Sequence, residues 1–160
     1  MKEFPRGLKM ATVWLLLGTA LFLAVQAFLA ERQRPSFTFG SGGLVLQRAL
    51  DGHFHWPGRV NGRNVEFLVD TGATRTALPG PLAQRLGLTP EREVRSATAG
   101  GVAVGYEARV DLALDGGVVV NRLRVTVLPD LASPLLGMDV LGRLHFTQQD
   151  GRLTVQGAAP

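Results

Sequence analysis

Asp70 is the residue whose setting first suggests chemistry. The apolar run Phe67-Leu68-Val69 carries a carboxylate to what reads as the end of a strand, and Thr71, Gly72 and Ala73 follow at once. Asp and Gly are ordinary turn formers, so a strand end is one sufficient account of them. The sharper account is a carboxylate presented out of the core for acid–base work. His53 and His55 stand two apart on one face of an expected strand, a spacing that can bind zinc. With no cysteine and only His145 besides, a metal site is not expected. The lack of cysteine also excludes disulfides and thiol catalysis. Gly100-Gly101 lacks the lysine or the helix that a phosphate-binding loop requires.

The elements that must position Asp70 read as short strands joined by tight turns. "FHWPGRV" and "NVEFLVD" flank Asn61-Gly62-Arg63, and Asn-Gly is a strong hairpin signal. "EVRSAT" and "VAVGYEARVDLAL" flank Ala99-Gly100-Gly101. In "VVVNRLRVTVL", Leu123, Val125 and Val127 fall on one face, and Arg122, Arg124 and Thr126 on the other. Asp115-Gly116-Gly117 and Asp150-Gly151 mark further turns. Two short helices are expected, near Pro81–Leu86 with Gly87 as a stop, and near Met138–Leu144. This pattern predicts an all-β fold, a small barrel or sandwich. Phe54 and Trp56 are expected in the core or an interface.

The 160 residues suffice for one domain and little else. Met10–Ala30 is uncharged, with Gln26 its single amide, and a helix of that length spans roughly 30 Å, the thickness of the bilayer's hydrocarbon. It reads as one uncleaved transmembrane anchor. The rival, a cleaved signal peptide, has a shorter apolar core. Residues 1–9 read as a cytoplasmic tail, 31–43 as a tether and 44–160 as the folded domain. Three basic residues precede the anchor and two follow it, a lean that puts the domain outside the cytoplasm. The net charge of +4 is concentrated there: five basic against two acidic residues precede Leu44, and twelve against eleven lie from it onward. A nearly neutral domain without a basic stripe excludes nucleic acid as the expected partner.

Asp70-Thr71-Gly72-Ala73, followed about 65 residues later by Leu135-Leu136-Gly137 and a short helix, resembles the two motifs of retropepsin-like aspartic proteases. In particular it resembles the single-domain, membrane-anchored bacterial members. It covers roughly residues 50–156 and implies a small closed barrel with one or two short helices. It also implies a peptidase in which two carboxylates share one proton, one activating water while the other protonates the substrate. Asp70, Thr71 and Gly72 would form the catalytic loop, with Gly72 letting backbone N–H groups approach the carboxylate. Leu135, Leu136 and Gly137 would lie behind that loop. No other Asp is followed by Thr-Gly or Ser-Gly, so one chain offers one such loop. The resemblance therefore implies a homodimer with one Asp70 from each subunit.

The same resemblance makes the hairpin around Ser96–Gly105 a flap, with Ala99, Gly100 and Gly101 at its tip. With Ala73, Leu131 and Ala132 these tip residues would line a cleft for an extended peptide. No cofactor is implied. Where viral members often carry an acid after the first motif, this chain has Thr74, so an ion pair between subunits is not expected there. The competing expectation is an inactive domain of the same fold that binds peptide or dimerises. The expected location is the inner membrane, as a single-pass protein with the catalytic domain on the periplasmic side, and the inactive alternative would likewise act outside the membrane.

Overall fold

The computed structural model describes residues 6–33, 37–40, 43–98 and 101–156. The chain divides into two units, Met1–Arg34 and Pro35–Pro160. The first holds helix α1, Arg6–Gln33, whose Lys9–Leu29 portion is long and apolar enough to cross a membrane. The second is built of strands, with two short helices.

Strands β3 (His55–Val60) and β4 (Arg63–Val69) form the hairpin that the Asn-Gly pair predicts. Asn61 and Gly62 both take left-handed φ, 49° and 79°, which suits a two-residue turn whose twist matches its strands. Downstream come β5 (Ala77–Pro79), helix α2 (Gly80–Arg85), β6 (Arg92–Thr98), β7 (Gly101–Leu114) and β8 (Val118–Leu128). They are followed by β9 (Leu135–Leu136) and helix α3 (Met138–Leu141). The strands lie in the order β3-β4-β9-β5-β8-β7-β6, and β3 also pairs with β7 through Gly58↔Leu114 to Val60↔Leu112. That last pairing closes six strands into the expected small barrel and leaves β6 outside it, attached only to β7.

A second sheet stacks β1 (Phe37–Gly40), β2 (Gly43–Gln47), β11 (Arg152–Gln156) and β10 (His145–Gln149) in that order. Strand β1 lies within the 31–43 stretch read as a tether, and it pairs with β2 from Phe37↔Leu46 to Gly40↔Gly43. Strand β2 carries Leu44 and Leu46 into the core, where Leu153 and Val155 of β11 meet them.

The core is aliphatic with two large aromatics. Trp56 and Phe67 are fully buried together with Leu78, Val125, Val127 and Leu136. Trp56 keeps its polar edge satisfied by donating from Nε1 to the Asp115 carbonyl at 2.8 Å. The alternation expected of β8 holds for Leu123, Val125 and Val127, which are buried, and for exposed Arg122 and Arg124. Thr126 departs from it and is buried, because its outer-face neighbour Glu107 is covered by arginines. Phe54 is a core residue, with the Arg48 guanidinium 5.5 Å from its ring centroid.

Candidate active site

Strand β4 ends at Val69, and the next residue is Asp70. Its N–H donates to the Leu136 carbonyl at 3.0 Å, so the carboxylate-bearing residue is pinned by the second motif. The chain then turns back on itself. Gly72 N–H donates to Asp70 Oδ1 at 2.8 Å, and Ala73 N–H donates to the Asp70 carbonyl at 3.2 Å. A Cβ at position 72 would stand 3.2 Å from Asp70 Oδ1, so glycine keeps this approach open. Asp70 and Ala73 are half-buried, whereas Thr71, Gly72 and Thr74 are exposed on the open side of the loop.

The second motif lies behind that loop, as expected. Two-residue β9 runs between β4 and β5, parallel to β4 through Leu68↔Leu135 and Val69↔Leu136 and antiparallel to β5 through Ala77↔Leu135. Leu136 is fully buried. Gly137 passes so close to the loop that an added Cβ would meet the backbone at Arg75, 2.6 Å from its carbonyl oxygen and 2.7 Å from Thr76 N.

Helix α3 begins immediately afterwards and turns its first N–H groups onto the loop. Met138 N–H donates to the Ala73 carbonyl at 2.8 Å and Asp139 N–H to the Thr74 carbonyl at 3.2 Å. These are donors that a helix start leaves unpaired, and here they bind loop oxygens. Asp139, in the first turn of this helix, has a larger part. Its Oδ1 accepts from Thr76 N–H at 2.9 Å and from Thr76 Oγ1–H at 2.8 Å. Thr76 Oγ1 in turn accepts from Gly137 N–H at 3.3 Å, and Thr76 is fully buried. Sequence reading passed over both Thr76 and this use of Asp139. A small hydroxyl residue six positions beyond Asp70 carries no signal of its own until the fold brings Asp139 to it.

Asp139→Ala strips the acceptor from both Thr76 donors. It should lower stability by about 1–3 kcal/mol, the usual cost of an unsatisfied buried donor. Thermal melting of the variant checks this, and Asp139→Asn, which keeps an oxygen acceptor, should recover most of the loss.

The hairpin read as a flap is formed by β6 and the first half of β7, paired from Arg92↔Glu107 to Thr98↔Gly101. Ala99 and Gly100 lie outside the described residues. Leu131 is half-buried and Ala132 exposed in the turn after β8, where Leu131 N–H donates to the Leu128 carbonyl at 3.4 Å. A groove of about 440 Å³ at the hairpin's base is lined by Val104, Tyr106, Glu93 and Pro129 among others, and Asp70 is not one of its lining residues. A second, of about 390 Å³, lies between β3 and β4 and also excludes Asp70.

Titratable groups cluster in two places near these elements. On β7, Glu107 is buried and faces three arginines: Arg75 Nη1 at 2.6 Å, Arg92 Nη2 at 3.0 Å and Arg124 Nε at 3.8 Å. Burial by itself raises its pKa, but the Arg92 hydrogen bond and the charges of Arg92, Arg75 and Arg124 outweigh that and hold it below the ordinary glutamate value. Its stabilising contribution is thus complete above that ordinary value and is lost as pH falls through the lowered one. His55 lies between Asp51, 2.8 Å from Nε2, and Glu66, 2.9 Å from Nδ1. The His53 N–H, then the His55 hydrogen bond, lowers the Asp51 pKa. Among the described residues, no group of three or more His, Cys, Asp or Glu side chains could hold a metal ion.

A barrel with an Asp-Thr-Gly loop at a strand end, braced from behind by a Leu-Leu-Gly strand, defines the retropepsin-like class. Residues 56–143 match the family described as "gag-polyprotein putative aspartyl protease", and the chain belongs to this retropepsin-like family. It resembles the crystal structure of a retropepsin-like aspartic protease from Rickettsia conorii, at 29% identity and a TM-score of 0.59 over 78% of this chain and 97% of that one. It is also 29% identical to an uncharacterized protein in the cobV 5′ region of a Sinorhizobium species, over 91% of this chain and 71% of the relative. A third relative, the uncharacterized protein RP867 of Rickettsia prowazekii, is 32% identical over 76% of this chain, which spans about half (54%) of that protein's length.

Proposed function

We infer that the protein is a membrane-anchored aspartic endopeptidase that works as a homodimer. The observation that carries this reading is the Asp70 loop: a half-buried carboxylate held by Gly72 N–H on a loop whose outer side is open. Family membership and the Rickettsia conorii likeness support the same chemistry. In such a site one ionised carboxylate takes a proton from water as the water oxygen bonds to the scissile carbonyl carbon. The protonated partner carboxyl gives its proton to the carbonyl oxygen. Collapse of the tetrahedral species breaks the C–N bond, and the departing nitrogen takes up a proton.

The partner carboxylate comes from a second chain. Asp139, the acid that helix α3 brings against the loop, has its Oδ1 engaged by Thr76 instead. A second Asp70 across a two-fold axis supplies the group, with the exposed Thr71 hydroxyl reaching toward the partner's loop. Residues 10–30 anchor the chain in the inner membrane as a single pass, with the domain on the periplasmic side. The tether confines both copies to one surface and favours their pairing. The substrate is an extended peptide, covered by the β6–β7 hairpin and flanked by Ala73, Leu131 and Ala132, with apolar residues at the scissile bond. No metal or organic cofactor enters this chemistry.

The test is cleavage of a diverse peptide library by the full chain in detergent, from acidic to neutral pH, with Asp70→Asn alongside. Cleavage by the native chain alone supports the reading. No cleavage by a preparation shown to be dimeric contradicts it and favours a peptide-binding module. Dimer dependence gives a further expected result. On dilution through the dissociation range, specific activity should fall in step with the dimer fraction measured by sedimentation.

A further inference from the structure

The Glu107 cluster links the loop that carries Arg75, by side chains, to strands β6 and β8, which the sheet already joins through β7. Arg75 belongs to the loop that begins at Asp70, Arg92 opens β6, and Arg124 stands on β8. Both carboxylate oxygens are engaged: Oε1 accepts from Arg75, and Oε2 from Arg92 with Arg124 beside it. Glu107 is 4% exposed, while the side chains of Arg75, Arg92 and Arg124 remain 46%, 65% and 48% exposed. The acid is thus the hub, and the arginines are spokes laid over it. Glu91, the next charged group on this side, sends its backbone N–H to the Glu107 carbonyl and its carboxylate to Arg109 at 3.6 Å.

The hub sits where the hairpin leaves the barrel. Strand β7 pairs with β8 from Tyr106 onward, and residues 101–105 pair with β6 alone. Gly105 crosses directly over the Val127 carbonyl, a contact that any Cβ would block. Beyond it, Arg95, Ala97, Val102 and Val104 are exposed and Val94, Ser96 and Ala103 only half-buried. Few buried contacts restrain that outer part, whereas Glu107, opposite Arg92, is buried.

We propose that Glu107 is a positioning residue that clamps the base of the β6–β7 hairpin to the Asp70 loop through Arg92 and Arg75. Hairpin opening then hinges beyond the Glu93↔Tyr106 pair and leaves the carboxylate loop in place. Its kinetic consequence rests on the peptidase reading; its structural consequence does not. The clamp acts on a loop whose other supports are Gly137 and Asp139. Removing it leaves the loop folded but less restrained on the Arg75 side.

The test uses the full chain in detergent and the variants Glu107→Gln, Arg75→Gln and the double variant. Each single variant should speed amide hydrogen exchange in residues 71–76 and at the hairpin base by roughly tenfold, with β2 and β11 unchanged. The double variant should add little to Glu107→Gln alone, because that substitution already disrupts the Arg75 link. In peptide cleavage, kcat should fall by roughly tenfold, in line with loss of loop geometry, while KM changes little. Exchange that is unchanged, that rises evenly across the barrel, or that adds fully in the double variant overturns the clamp. If the native chain cleaves nothing, the exchange measurement still decides the clamp, and the peptidase reading fails separately.

Discussion

Asp70→Asn should abolish peptide cleavage while leaving the fold intact. Asparagine has the same shape and retains an oxygen able to accept from Gly72 N–H, the contact that holds the carboxylate at 2.8 Å. Asp70 is half-buried at the end of β4 and makes no ion pair among the described residues, so stability should change by no more than about 0.5 kcal/mol. What is lost is proton exchange with water and substrate. Positioned acid–base catalysis contributes about 100- to 10,000-fold, and in a homodimer the substitution removes both carboxylates together. The expected kcat/KM is thus lower by at least that range, with an unchanged melting temperature. Initial rates and a thermal melt of the same preparation check both halves.

Gly137→Ala should be the most damaging small substitution outside the loop itself. The added methyl would lie 2.6 Å from the Arg75 carbonyl oxygen and 2.7 Å from Thr76 N. These are backbone atoms, and they cannot rotate aside as a side chain would. Overpacking typically costs about 1–3 kcal/mol, and a clash with backbone belongs at the upper end. A loss of that size lowers the melting temperature by roughly 10 °C. Activity should fall further than stability alone explains. Relief of the clash pushes the 73–76 segment away from α3, and with it the carbonyls that Met138 and Asp139 hold. A shift of about 1 Å at a reacting group can cost around a hundredfold in rate. Thermal melting and kcat measured well below the transition separate the two effects.

Much of the barrel is legible in the sequence because its longer strands obey simple rules. The Asn61-Gly62 turn, the alternation of β8 and the apolar run into Asp70 each carry a signal strong enough to stand alone. Strands β5 and β9 do not, since three and two residues cannot display a period. Their place follows from pairing partners far away in the chain, β8 for β5 and β4 for β9. Strand β1 is hidden for another reason. The stretch 31–43 mixes charge, Pro, Ser and Gly and reads as a linker, and only the pairing of Phe37–Gly40 with β2, itself paired with β11, shows that the sheet extends into it. Within the site, the two motifs are visible as residues. The Thr76–Asp139–Gly137 bonds and the Glu107 hub join residues 61–63 and 15–32 positions apart, and single-chain patterning says nothing about such pairs.

Subunit mixing tests the central claim, one shared site built from two Asp70 carboxylates, most directly. A fixed amount of native full chain is allowed to exchange subunits in detergent with increasing amounts of inactive Asp70→Asn, and peptide cleavage is followed. If each site needs an Asp70 from both subunits, mixed dimers are inactive. Cleavage then falls toward zero as the variant captures native chains, in proportion to its share of the pool. Activity that stays constant under a large excess of Asp70→Asn, with subunit exchange demonstrated, would mean that each chain works alone, and would contradict the account.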